Sequence, residues 1–479
     1  MIQKIVLYGS GKRCKVLCKI LLQSNIEIVR IVDTDSNKWG DKIEGFEVEN
    51  PDIIERLLSE NLCITVADVD AIKQIRDKIQ SKYKYDLNKE IHYHQLILEA
   101  YKHCLALKKH IMGRAINTGR KQSILFDCYN GLILGGVEAW TMELCKELIN
   151  DGRKHIYIIS DEGNYHVPLI LGNHIVYADI NHEEQFSIKS ILNLVDAIIQ
   201  KVPCKVITCT TNEVMLAAYL VKYYYPEEIE IISVIHNSNE KVYEEYRDFR
   251  ECSDLYIGVS KDIRNHMIEQ GVRSDMIYSM TCPFECEPML VRSYSEEKSQ
   301  SIRIGFAGRM EYHQKRMDLL LKLIGTLIEK KINFRMEFAG DGIARKEMEM
   351  VVQSKQWEDK IRFLGRLDRS MLSDFWKRQD ICVNLADFEG RSISIIEAMG
   401  NGAVPIVTET SGVREDITDS VNGFIVPVGD YQTAAERIEY LSRCREQLRK
   451  MGEVAHDAVY PKSLMKPHFD FWKKILFYT

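Results

Sequence analysis

Apolar positions along this chain fall into short runs, each followed by a glycine turn and then by an amphipathic stretch. Ile5-Val6-Leu7-Tyr8 leads through Gly9-Ser10-Gly11 to Val16, Leu17, Ile20 and Leu21, spaced as one face of a helix. Ile124-Leu125-Phe126 leads to Gly135-Gly136 and a helical pattern through Val137, Leu144 and Leu148. Ile302–Ala307 leads to Gly308 and then to Leu319, Leu320, Leu323 and Ile324. Strands alternating with helices of this length predict an α/β protein whose parallel sheets are covered on both faces. The repeated opening predicts three doubly wound units.

The joints follow from where the pattern breaks. The first unit is expected over 1–87, with only three or four strands and a truncated doubly wound pattern. Residues 88–120 read as a helix with apolar Leu96, Ile97, Ala100, Tyr101, Cys104 and Leu105 that runs into Lys108, Lys109, Arg114, Arg120 and Lys121. Gly113 and Gly119 interrupt that basic stretch, which reads as a linker. A second unit is expected over 121–288 and a third over 289–460, divided where Pro288 precedes a polar run. Residues 461–479, with Phe469, Phe471, Trp472 and Phe477, are expected as a helix packing back on the second unit.

Composition narrows the class. A chain of 479 residues exceeds one ordinary core. Its hydrophobic fraction of 45% and charged fraction of 28% are those of a soluble globular protein. A net charge of −6 supplies no field for nucleic acid. No apolar run reaches the length that spans a bilayer, and the first residues lack a signal-peptide pattern. The 13 cysteines form no CxxC pair and sit mostly in apolar runs, the habit of a reduced, cytoplasmic protein. The basic linker leaves peripheral contact with anionic lipid open, although a solvated linker is the favoured reading.

The third unit carries the chemistry. Gly308-Arg309 follows a strand, where doubly wound sheets bind ligands, and Lys315 comes six residues later. Arg309 can fork onto phosphate oxygens and Lys315 adds a point charge. A second cluster follows the strand 381–385: Glu389, Gly390, Arg391, Ser392, Ile393, Ser394 and, two helical turns on, Glu397. Gly390 permits close backbone approach, and Ser392 or Ser394 can cap the helix whose first amides would face an anion. Glu389 and Glu397 can accept hydrogen bonds from hydroxyls of two parts of one ligand. Cations and helix amides aimed at a departing diphosphate stabilise the transition state more than the ground state.

These residues resemble the C-terminal domain of glycosyltransferase family 4, the retaining GT-B enzymes. The likeness rests on Gly308-Arg309, Lys315 and Glu389-x7-Glu397-Ala398-Met399. It continues through 402–407, Ser411-Gly412-Val413-Arg414-Glu415 and Asn422-Gly423, and covers roughly 121–479. It implies a GT-B architecture, two doubly wound Rossmann-like domains facing a cleft, with a smaller Rossmann-like domain appended at the N-terminus. It implies that Arg309, Lys315 and Glu389 carry catalysis, the cations on the diphosphate and Glu389 on the donor sugar. Glu397 would hold the ribose, while Leu364 and Arg366 would border the base. No metal or other cofactor is implied. The donor is expected to be a UDP- or GDP-sugar, and the acceptor a glycan, lipid-linked or other hydroxyl in polysaccharide synthesis. In the second unit Gly135, Gly136 and His236 would border the donor or acceptor.

Other readings stand beside this one. A GT-B UDP-sugar epimerase would need no acceptor. An NAD-dependent oxidoreductase would rest on the first unit, where Gly9-Ser10-Gly11 and Asp33 make half a dinucleotide fingerprint but Cys14 occupies the third glycine position. A docking or oligomerisation role is favoured for that unit. A non-catalytic scaffold is disfavoured by the joint presence of Arg309, Lys315, Glu389 and Glu397.

Overall fold

The computed structural model describes residues 2–114, 116, 121–129, 131–132, 136–161, 169–209, 213–284 and 286–478. Gly135 and Leu134 lie outside these, as do Gly119, Arg120 and Glu285. By contact density the chain divides into one unit of 1–234 with 241–256 and another of 235–240 with 257–479.

The first unit opens with β1 (Lys4–Tyr8), α1 (Lys12–Leu21), β2 (Glu27–Val32), β3 (Lys42–Ile43), β4 (Phe46–Glu49), β5 (Asn61–Ile64) and α2 (Val69–Ser81). Its sheet runs β3-β4-β2-β1-β5. Five strands form where three or four were expected, because Glu44 and Gly45, at φ 46° and 91°, turn β3 antiparallel onto β4. The sheet is therefore mixed. Helices α3 (Tyr93–Lys102) and α4 (Leu105–Met112) follow. The linker expected over 88–120 is instead largely packed: Leu96, Ile97, Ala100, Tyr101, Cys104, Leu107 and Ile111 are buried in one apolar cluster. The Tyr101 hydroxyl donates to the carbonyl of Phe186 (2.6 Å) inside that cluster. Of the charges that suggested a linker, Lys108, Lys109 and Arg114 are exposed.

The second sheet is built from β6 (Ser123–Cys128), α5 (Gly136–Asn150), β7 (Ile156–Asp161), β8 (Ile175–Ala178), α6 (Ile188–Ile199), β9 (Cys204–Thr208), α7 (Glu213–Tyr224), β10 (Ile229–Ile235), α8 (Glu240–Asp248), β11 (Leu255–Gly258), α9 (Lys261–Glu269) and β12 (Ile277–Ser279). Its order is β12-β11-β10-β9-β6-β7-β8, and strand order reverses between β6 and β9.

The third sheet lies in the second unit. It comprises β13 (Ile302–Ala307), α10 (Met317–Glu329), β14 (Phe334–Ala339), α11 (Arg345–Ser354), β15 (Ile361–Gly365), α12 (Arg369–Lys377), β16 (Ile381–Asn384), α13 (Ile393–Gly400), β17 (Val404–Thr408), β18 (Phe424–Val426) and α14 (Tyr431–Arg443). Its fully parallel order, β15-β14-β13-β16-β17-β18, is the doubly wound order with its switch point between β13 and β16. The near-continuous apolar strands this requires are present in Ile302, Ile304 and Phe306 and in Ile381 and Val383, all buried. Leu319, Leu320, Leu323, Ile324 and Leu327 of α10 cover one face. Helices α15 (Arg445–Ser463) and α16 (Met465–Phe477) end the chain. Phe471 meets Tyr278 of β12 edge-on, and His468 approaches the carbonyl of Thr281 at 3.1 Å. All thirteen cysteines are free thiols and most are buried. No helix among the described residues is long and apolar enough to cross a membrane.

Candidate donor site

The carboxyl ends of β13, β14 and β15 continue the sheet into their loops. Gly308 N donates to Ala339 O (3.0 Å), Met310 N to Asp341 O (2.9 Å) and Gly340 N to Gly365 O (2.8 Å). A β-carbon on Gly340 would sit 1.9 Å from Gly308 O, so the two exits touch only because glycine occupies that position. Arg309 leaves this edge exposed, and its side chain makes no ion pair among the described residues.

The loop from 311 to 316 is held from within and from across the switch point. The Glu311 carboxylate accepts from the amides of His313 (2.9 Å), Gln314 (3.0 Å) and Lys315 (2.9 Å). Lys315 Nζ pairs with Glu389 Oε1, and both residues are buried, at 9% and 7% exposure. Glu389 also accepts from Asn384 Nδ2 (3.2 Å) and Gln314 Nε2 (3.2 Å), so neither carboxylate oxygen is left without a donor. The backbone of Glu389 is fixed too, its carbonyl accepting from Ser238 Oγ at 2.5 Å. Gly390 lies against His236: a β-carbon there would meet His236 O at 2.1 Å. His236 is half-buried overall, yet its ring nitrogen Nε2 is fully shielded, and burial pushes its pKa down to about 4. It is therefore a neutral imidazole at neutral pH.

Lys315, Glu389, Gly390 and His236 are thus brought together, and with them Gln314, Asn384, Glu311 and Ser238, which sequence reasoning passed over. One signal was available: Asn384 is a polar residue ending an otherwise apolar strand. Other expectations change. Ser392 is the residue preceding α13, but its hydroxyl makes no capping bond and lies 3.4 Å from Asn384 Nδ2 and 3.2 Å from Ser394 Oγ. Ser394 is inside the helix. Arg391, expected at the donor, turns its guanidinium onto Asp416 (2.8 and 2.5 Å), with Lys462 on the same carboxylate (2.8 Å). It serves packing. Glu397 is half-buried on α13, and Ile393 and Leu364 pack against the apolar cluster under that helix. Arg366 is exposed beyond β15.

In the first unit Gly136 begins α5 and is exposed. Nearby, at the switch point of the second sheet, Glu213 is buried and accepts from Tyr129 and from the amide of Phe186 (2.7 Å). Burial raises the Glu213 pKa above the ordinary carboxylate range. His182 stands 3.1 Å from Asp161. In the N-terminal sheet Asp33 is already engaged by Ser10 N (2.8 Å), Ser10 Oγ (2.5 Å), Asp35 N (2.9 Å) and Lys38 Nζ (3.3 Å). Burial alone would raise its pKa, but these bonds hold it below the ordinary value. The acid a dinucleotide ribose would need is spent on the glycine loop itself, which weighs against the oxidoreductase reading.

The chain has the doubly wound sheets of the GT-B fold, and solved structures of that fold, among them a lipopolysaccharide outer core galactosyltransferase, superpose on it. Residues 292–457 match the family described as glycosyl transferases group 1, and residues 1–91 match C2185-like, N-terminal. N-acetyl-alpha-D-glucosaminyl L-malate synthase of Bacillus anthracis is 24% identical over 51% of this chain and 67% of its own length. Three further curated relatives, including Protein CapJ of Staphylococcus aureus, are matched over 30%, 35% and 52% of their lengths. Anabaena Alr3699/HepE, solved with UDP-glucose, superposes with a TM-score of 0.58 at 15% identity, over 74% of this chain and 100% of that one. S. aureus TarM, in a complex that includes UDP, gives 0.51 at 11% identity over 99% of both chains. The family match and the relatives named glycosyltransferases indicate a transferase.

Proposed function

We propose that this protein is a retaining, metal-independent glycosyltransferase of family 4 that takes a sugar from a UDP-sugar and delivers it to a hydroxyl of a glycan or lipid-linked acceptor. The observation that carries the reading is the buried Lys315–Glu389 pair, with Asn384 and Gln314 on the same carboxylate, at the switch point whose first strand exit carries exposed Arg309. Arg309 and Lys315 hold the diphosphate and stabilise the charge that grows on it as the glycosidic bond breaks. Glu389, fixed by three side-chain donors and a backbone bond, is positioned to accept from hydroxyls of the transferred sugar. Glu397 on α13 is assigned to the ribose. UDP is favoured over GDP because the UDP complexes of the neighbours named above share this fold. The acceptor proton passes to the leaving phosphate on the same face, so the anomeric configuration is kept. Side-chain cations supply the charge compensation that a divalent ion supplies elsewhere. Work in polysaccharide or cell-surface glycan synthesis agrees with the name of one relative, the lipopolysaccharide 1,6-galactosyltransferase of Escherichia coli.

The test is a thermal-shift panel of UDP- and GDP-sugars, since a ligand of the native state raises its apparent stability. The expected result is stabilisation by a UDP-sugar, undiminished by EDTA. Turnover of that donor should vanish in Arg309→Ala and Glu389→Ala while both remain folded, and NMR of the product should show the donor's anomeric configuration. Full turnover in either variant would overturn the site, and an inverted product would overturn the mechanism.

A further inference from the structure

Lys315 is followed by a residue in an uncommon conformation. Arg316 has φ 50° and ψ 55°, the left-handed region in which a side chain is strained and glycine is not. Strain of this kind persists only where surrounding structure holds it, and it gathers at functional sites. Here the surrounding structure is visible. Arg316 Nε and Nη2 donate to the two oxygens of Asp318, each at 2.9 Å. Nη1 donates to both oxygens of Asp387, at 2.9 and 3.0 Å. Asp387 stands two residues before Glu389, and its amide donates to Gln314 O (2.9 Å). Gln314 Nε2 then reaches the carbonyl of Phe388 at 3.1 Å.

We propose that Arg316 is a positioning residue of the donor site: it clamps the loop carrying Lys315 onto the loop carrying Glu389. The inference rests on the reading of these two residues as donor-binding groups. A guanidinium is required, because its planar fork serves two carboxylates in fixed directions, whereas an ammonium is a point charge. An ordinary exposed ion pair contributes little. This one differs in being three-quarters buried at the arginine and in joining two segments seventy-one residues apart.

The backbone makes the test clean, because Arg316→Gly removes the clamp and the strain together. In the full chain, Arg316→Gly is expected to melt at the wild-type temperature or above it. Amide exchange of the 311–316 segment should nonetheless quicken, and the dissociation constant for UDP should rise by about tenfold or more, as misplacement of a binding group predicts. Arg316→Lys should fall between, and Asp387→Asn, which loosens the clamp but keeps the strain, should quicken exchange and raise the dissociation constant without the gain in melting temperature. The double variant should be no worse than Arg316→Gly alone, since both act on one contact. Wild-type exchange and wild-type UDP affinity in Arg316→Gly would overturn the clamp. Failure of the wild-type protein to bind UDP would overturn the functional reading instead, and the exchange comparison would still decide whether the clamp exists.

Discussion

Replacing Lys315 by Met removes one charge from a buried pair and leaves the stem of the side chain almost unchanged. Glu389, 7% exposed, then keeps its carboxylate with only the amides of Asn384 and Gln314 as side-chain donors. Removing one partner of a buried ion pair costs about 3–5 kcal/mol, because the other charge is left uncompensated. Those two amides remain in both proteins and soften the loss, so the lower end, about 3 kcal/mol, is expected. For a domain of this size each kcal/mol moves the transition by about 2–4 °C, giving a drop of about 6–12 °C. Replacing both residues, Lys315→Met with Glu389→Leu, should recover most of that stability, since a well-packed apolar pair often matches a buried ion pair. Donor turnover should be absent from both variants. Differential scanning calorimetry at neutral pH follows the relevant transition, and UDP-sugar turnover is measured alongside. A single variant that melts within about 1 °C of wild type would refute the argument, for it would mean that Glu389 does not depend on Lys315.

Three further outcomes are expected. Burial holds His468, like His236, to a pKa of about 4, whereas the unfolded chain protonates histidine near 6.5. The unfolded state therefore binds more protons between those values, so stability is full above pH 6.5 and falls as pH drops toward 4. His468→Gln, which keeps a donor for the Thr281 carbonyl, should flatten that fall in denaturant titrations by about 1.4 kcal/mol per pH unit, and an unchanged slope would remove His468 as its source. Gly390→Ala places a β-carbon 2.1 Å from His236 O, so the backbones must part by about 1 Å, costing about 1–3 kcal/mol and disturbing Glu389. A variant with wild-type melting and turnover would show that the approach is not obligatory. Arg391→Ala should lower the melting temperature, because Asp416 would retain only Lys462 in a buried setting, while UDP affinity measured well below that temperature stays at the wild-type value. Loss of UDP affinity without loss of stability would return Arg391 to the donor site.

How much of this was legible in the sequence varies with the range of the interaction. The apolar runs at 302–307 and 381–384 became β13 and β16, and the residues after them met at the switch point, because strand order in a doubly wound sheet brings those two exits together. Local pattern also marked Leu96, Ile97 and Tyr101 as apolar helix positions, although the single helix expected there divides into α3 and α4 at His103-Cys104. What it did not reveal was the partner: a basic stretch looked like a linker, while the face opposite its charges was being buried. The short hairpin at Glu44-Gly45 was overlooked because two strands of two and four residues leave almost no alternation to read. Ser392 was placed correctly in the chain but not in its bonding, and the Arg391 guanidinium pairs with Asp416. Both outcomes depend on rotamers set by Asn384 and Asp416, eight and twenty-five residues distant. Asn384 and Gln314 escaped notice for the same reason, since an amide gains meaning only from the carboxylate it faces.

The bonds lacing Gly308 to Ala339, Met310 to Asp341 and Gly340 to Gly365 have a consequence for how this domain can diverge. Three successive exits from the sheet share one ladder, so a residue inserted before any of those bonds would slip the neighbouring exits out of step as well. Length can change only farther out, where the segments have left the ladder. A lineage descending from this protein would therefore change this edge by exchanging side chains along a frame of constant length, and would lengthen or shorten its loops only beyond Met310, Asp341 and Gly365.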